Sequence, residues 1–189
     1  MHSDIFFSIV PGVFFNPPRA WQTVKSHPIS LIRFFLVFGL PFILLGSFGR
    51  ALSDQDLEAF VDRPLGILFL SHLLSNLLVL LAGPWMIARL SGTYKLVPDY
   101  SSSLKLSVVS YIPFLLSQLI AALAPVISFI ALVGMGFSLV LFWSGAPVIL
   151  DIPKNRLAGF TFLSFFIFLG LSLIGLYLIR LIIFAPVTV

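Results

Sequence analysis

Apolar residues run through this chain in long, nearly unbroken blocks, and charged residues fall mainly in the gaps between them. A helix that crosses a bilayer needs about 20 predominantly apolar residues. Arg33 and Arg50 bracket Phe34–Gly49, which is long enough if the helix starts near Ile29 and Arg33 extends its charged head to the interface. Arg63 and Arg89 bracket Pro64–Ala88, one span, and Arg156 and Arg180 bracket Leu157–Ile179, another. Lys105 and Asp151 bracket Leu106–Leu150, too long for one helix and suited to two. Ala124-Pro125 is the expected break, because proline disfavours helical geometry in the residue before it. The pattern predicts an all-α polytopic membrane protein, a five-helix transmembrane bundle. Its spans lie near 30–49, 65–88, 104–124, 126–149 and 158–180, after an N-terminal segment over 1–29.

Composition agrees with lipid as the covering medium. The 189 residues are 59% hydrophobic and 10% charged, against about 45–50% and 25% in soluble domains. The net charge of +4 does not point to nucleic acid, because the basic residues are dispersed beside apolar runs, where they act as topology and headgroup signals. Arg19, Lys25 and Arg33 precede the first span; Arg89, Lys95 and Lys105 fill the second gap; Lys154 and Arg156 fill the fourth. The opposite side holds Arg50, Arg63 and Arg180 beside Asp54, Asp56, Glu58 and Asp62. This bias predicts a cytoplasmic N-terminus and, after five crossings, a C-terminus outside. Met1–Phe15 lacks a basic leader, carries Asp4 and is interrupted by Pro11 and Gly12, so the first span is expected to be an uncleaved anchor.

Outside the spans, Asn16-Pro17-Pro18 reads as a helix start, with asparagine as cap and proline in the first turn. Phe14, Phe15, Trp21 and Val24 would form its apolar side, with Arg19 and Lys25 at the headgroups, as in an interfacial helix or a structural lead-in to the first span. Ser53-Asp54-Gln55-Asp56 is expected to begin a brief outer-side helix. The acidic residues there lack the glycine and terminal glutamate of an EF-hand, so they read as solvated loop charge. Gly92 is expected to end the second span, and Ser101, Ser102 or Ser103 to cap the third. Tyr94, Lys95 and Tyr100 are expected on an exposed loop surface.

Polar groups at bilayer depth need a partner or a cavity. His72, Ser75 and Asn76 share one helical face, and Ser110, Ser117 and Gln118 lie in the third span around Pro113. One reading is a hydrated path through His72, Asn76 and Gln118. The simpler one is interhelical hydrogen bonding, worth perhaps 0.6–2 kcal/mol per contact. The latter is favoured by the expectation that Asp and Glu are confined to loops or loop edges. Pro113 removes a helical hydrogen bond and can bend the third span, and Tyr111 is expected to place its hydroxyl at the interface or in the freed backbone site. Small residues such as Gly134 and Ser138 permit close helix contact.

Cysteine is absent and His2, His27 and His72 are scattered, so no metal-ligand set is expected. Neither a phosphate-binding glycine loop nor a nucleophile elbow occurs. The expectation is a non-enzymatic protein with no catalytic residue and no cofactor.

Four features combine in order: Pro17-x-x-x-Trp21 before the first helix, five spans, Ser110-Tyr111-Ile112-Pro113 followed by leucines, and Gly145-Ala146-Pro147 at the close of the fourth span. Over nearly the whole chain this resembles the Ypt-interacting protein (Yip) family, especially its small bacterial inner-membrane members. The resemblance implies a fold and a location, the cell inner membrane for a bacterial chain, rather than a reaction. Eukaryotic Yip proteins are associated with Rab GTPases and vesicle traffic and carry a longer cytosolic N-terminal region than residues 1–29 here. The implied role is a scaffold or adaptor that binds other membrane proteins or lipids, or a second copy of itself. The alternatives are a small transporter or channel through His72, Asn76 and Gln118, and lipid remodelling through Trp21.

Overall fold

A computed structural model describes residues 3–55, 57, 63–94, 96–97, 99–123 and 127–184. Two short helices, α1 (Ser3–Phe15) and α2 (Pro17–Ser26), lead into α3 (Leu31–Gln55), α4 (Leu65–Thr93), α5 (Tyr100–Ala121), α6 (Ile130–Ile149) and α7 (Lys154–Phe184). The helices α3 to α7 are long and apolar enough to cross a membrane. Their outward faces carry Leu70, Leu74, Trp85, Phe162, Phe166 and Tyr177, a surface that lipid rather than water would cover.

Local chemistry sets the helix irregularities and ends. In α3 a π turn spans Phe35–Gly39, and the Leu40 N–H bonds back to the Phe35 carbonyl. It comes directly before Pro41, which lacks an N–H and crowds the preceding turn; a widened turn relieves both. Asn16 accepts from the Arg19 N–H at 3.3 Å, and Pro17 opens α2. The cap of α5 is Asp99, not one of the serines that follow: its carboxylate accepts the Ser101 and Ser102 N–H groups, each at 3.0 Å. Partial burial pushes the Asp99 carboxyl up, but hydrogen bonds from Ser102 and Ser101 and the nearby Lys105 outweigh it and hold the group below its ordinary value.

The centre of the bundle is α5. Of its most apolar stretch 67% is buried, against 28% for α4 and for α7. It packs on α6, α3 and α4, while α7 lies mainly along α4 and more lightly on α6. At one end α2 folds over α6, burying Trp21 and Val24 with Phe34, Leu106 and Phe142. Lys25 Nζ meets Asp151 Oδ1 at 2.7 Å, and Arg156 Nη1 donates to the Tyr94 carbonyl at 2.6 Å. These contacts gather α2, the α6–α7 turn and the end of α4 on one side. Asp151 holds this turn with a left-handed φ of 54°, a conformation that Asp tolerates better than most residues.

Several expectations change. Ser3–Phe15 is helical through Pro11, and its Ile9 and Val13 are buried. Ser53-Asp54-Gln55 is the last turn of α3 rather than the start of a new helix. Helix α4 runs through Gly92 to Thr93. Tyr94 packs edge-on against Phe160, and the Tyr100 hydroxyl donates to the Leu81 carbonyl, so both loop tyrosines are engaged by the bundle. The break expected at Ala124-Pro125, His2, Asp56, Glu58, Asp62, Lys95 and the side chain of Arg180 lie outside the described residues.

Candidate functional site

Along the contact between α3 and α4, polar side chains pair in antiparallel register. His72 and Asn76, one turn apart on α4, face Asp54 and Ser47, two turns apart on α3. His72 Nε2 lies 2.8 Å from Asp54 Oδ2, and Asn76 Nδ2 donates to Ser47 Oγ at 3.0 Å. An ionised carboxylate only accepts, so the imidazole nitrogen is the donor in the first pair. Asp54 is 5% exposed and His72 7%. The half-exposed Arg50 reaches back one turn to place Nε 3.1 Å from Asp54 Oδ1. That approach is an ion pair without hydrogen-bond alignment, since Oδ1 has no hydrogen-bond partner. The expectation that Asp54 is solvated loop charge is therefore corrected: in the last turn of α3, at the edge of the following loop, its carboxylate is buried beside the histidine. The missed signal was spacing. Asp54 follows Arg50 by four residues and Ser47 by seven, so all three share one face if the helix continues.

Gln118 does not join this pair by a hydrogen bond. It lies where α5 crosses α3, with its backbone beside Gly49 and its Oε1 buried without a partner among the described residues.

The motif residues form a second constellation, centred on α6. Trp21 is 1% exposed, and its Nε1 donates to Ser144 Oγ at 3.1 Å. Its indole lies against Gly145, where a Cβ would come within 2.5 Å of the ring. Trp21 is thus a docked packing residue of α2, not a lipid-facing one, which removes the basis for lipid remodelling through it. One turn beyond Pro113, α6 approaches closely at Gly134, where a Cβ would stand 2.9 Å from the Pro113 carbonyl. Ser138 Oγ accepts the Phe114 N–H at 3.1 Å, an interhelical bond one residue after the helix-interior Pro113. Tyr111 is half-buried against the bundle. Its ring lies near Phe114 and Phe168.

A family model for the Yip1 domain matches residues 12–177. The chain belongs to the Yip1 domain family. No curated protein and no solved structure is significantly similar to it. The Yip1 match takes in Pro17-x-x-x-Trp21, the Tyr111–Pro113 segment, Gly145-Ala146-Pro147 and most of every membrane-length helix. In this Yip1 domain those separate segments are one packing system, because α6 receives Trp21 at Gly145 and the Pro113 turn at Gly134. Among its described residues, no three His, Cys, Asp or Glu side chains gather as a metal site. Membership and the apolar helices make it an integral membrane protein.

Proposed function

We propose that this Yip1-family protein is a non-enzymatic scaffold or adaptor that binds other membrane proteins through the outward faces of its helices. The observation that supports this most is how the polar side chains are used. His72 is held by Asp54, Asn76 by Ser47, and Phe114 N–H by Ser138. Each pair joins one helix to the next, as interhelical cement would. In this reading the N-terminus is cytoplasmic and the C-terminus outside. Lys25, Arg89, Lys154 and Arg156 would face the cytoplasm, as the positive-inside rule asks. The test is purification from native membrane in mild detergent. A membrane protein that co-purifies in stable ratio supports the scaffold, and a partner-free monomer in several detergents refutes it. Cysteines replacing Ser53 and Asn155 should label from outside and inside respectively.

The second reading is a small transporter or channel, and Asp54 favours it. Proton paths in membranes use carboxylates and histidines in reach of each other, and Asp54 and His72 meet that condition. Gln118, with its unpartnered Oε1, would belong to the same path. Proton or solute flux into reconstituted vesicles that collapses in His72→Ala and Gln118→Ala would establish this reading; flux indifferent to both would remove it.

A further inference from the structure

One carboxylate at the α3–α4 contact serves two basic side chains. Asp54 offers Oδ2 to His72 Nε2 at 2.8 Å and Oδ1 to Arg50 Nε at 3.1 Å. The two contacts are unlike. His72 comes from α4, is enclosed, and makes the bond that ties the two helices. Arg50 comes from α3 itself, its side chain is 44% exposed, and Oδ1 receives no hydrogen bond from it. Charge decides what the three groups can hold together. With His72 neutral, one guanidinium balances one carboxylate, and the imidazole only donates its Nε2 hydrogen. A proton taken from water would go to the other ring nitrogen, Nδ1. Two cations would then share one acid where an uncompensated charge is costly. Arg50 is the one placed to leave. It is half in solvent on a long stem and gives up no hydrogen bond, whereas His72 would lose both its bond and its enclosure. Balance is kept, because the imidazolium takes over the carboxylate.

We infer that Asp54, His72 and Arg50 form a pH-driven charge exchange, in which proton uptake by His72 releases Arg50 to the surface while α3 and α4 stay joined. Histidine is the side chain whose ordinary titration falls between about pH 5 and 8. The elements packed on His72 bring no described charge that competes with Arg50. Helix α5 crosses α3 here with the uncharged Gln118, and its nearest titratable side chain, Tyr111, stands seven residues earlier, about 10 Å along the helix. On α7, which lies along α4, Tyr177 is exposed. Arg63 precedes His72 by nine residues, before α4 begins. The side chain of Arg180, and Asp56, Glu58 and Asp62, lie outside the described residues. Acid at this end of the bundle then presents a cation without parting the helices. No proton needs to cross the membrane, so the exchange stands apart from the transporter reading, and it holds with or without a bound partner.

The test uses the full chain in phosphatidylcholine nanodiscs, isotope-labelled in its arginines and histidines, with NMR spectra taken from about pH 8 to about pH 5. Arg50 is the signal lost in Arg50→Lys, and His72 is assigned by elimination with His2→Gln and His27→Gln. Asp54→Asn supplies the position of a released Arg50. In the wild type the Arg50 Nε signal should start away from that position and move most of the way to it on acidification, with the same midpoint as His72. In His72→Gln, which keeps a donor for Oδ2 but takes up no proton, the Arg50 signal should stay where it was at the alkaline end. An Arg50 signal that does not follow His72 overturns the proposal, as does a His72 that does not titrate over this range. The same movement in His72→Gln would assign it to protonation of Asp54 and overturn the proposal too. If His72→Gln fails to fold, the two wild-type midpoints decide: coincident they support the exchange, separate they refute it.

Discussion

Asp54 Oδ2 and His72 Nε2 stand 2.8 Å apart at the buried α3–α4 contact, and Arg50 closes on the same carboxylate from one turn earlier. Deleting one member of a buried pair costs about 3–5 kcal/mol when the other charge is left alone. Here the members are unequal. Asp54→Ala breaks two contacts, leaving the buried His72 without its partner while the half-exposed Arg50 turns to solvent, whereas His72→Ala leaves Asp54 with Arg50. Thermal unfolding in detergent should therefore rank Asp54→Ala below His72→Ala, with losses of about 3 and about 1–2 kcal/mol. Equal losses would mean that the two side chains are not coupled as described.

Asn76 and Ser47 provide a cleaner measure of polar cement, because neither carries a charge. A double-mutant cycle of Asn76→Ala and Ser47→Ala isolates their bond. The expected coupling is about 0.6–1.7 kcal/mol, the range for hydrogen bonds between membrane helices. Zero coupling would show that each side chain has another partner.

Gly145 lets α2 dock. Its replacement by alanine puts a methyl group 2.5 Å from the Trp21 ring, and overpacking of this kind costs about 1–3 kcal/mol. Gly145→Ala should red-shift the Trp21 emission relative to wild type when Trp85 and Trp143 are replaced by phenylalanine. It should also make α2 the first segment cut by limited proteolysis. Ser144→Ala removes only the indole hydrogen bond and should leave α2 docked, with a loss of about 1 kcal/mol.

Asp99 gives a pH dependence with a definite sign. Its carboxyl is held below its ordinary value, so the folded state favours the ionised form. Its stabilisation is fully present above that ordinary value and is lost as pH falls through the lower folded value. Asp99→Ala should cost about 1 kcal/mol near neutral pH through loss of the cap. Under strong acid the stabilities of wild type and variant should converge. A gap that stays constant down to acid pH would mean that the carboxylate charge is not what caps α5.

The five membrane-length helices were legible in the sequence because bilayer thickness fixes the length of an apolar block, and charge marks its ends. The same rule concealed Asp54. A charge marks the end of a span, which puts the close of α3 near residue 49, whereas the helix continues through that acid to Gln55 with Arg50 and His72 on its carboxylate. The Pro17–Trp21 and Gly145–Pro147 segments were visible as separate motifs, but nothing along the chain indicated that they touch. Their contact depends on α2 folding back over α6.

The proposed role of this bundle is to hold another membrane protein. The most direct measurement is the mass of the particle released from native membrane, taken by native mass spectrometry before any detergent exchange. The chain alone weighs 20.9 kDa. A particle heavier by at least one further protein chain, in constant ratio, is the predicted result. A particle of one chain with nothing but lipid attached would contradict it.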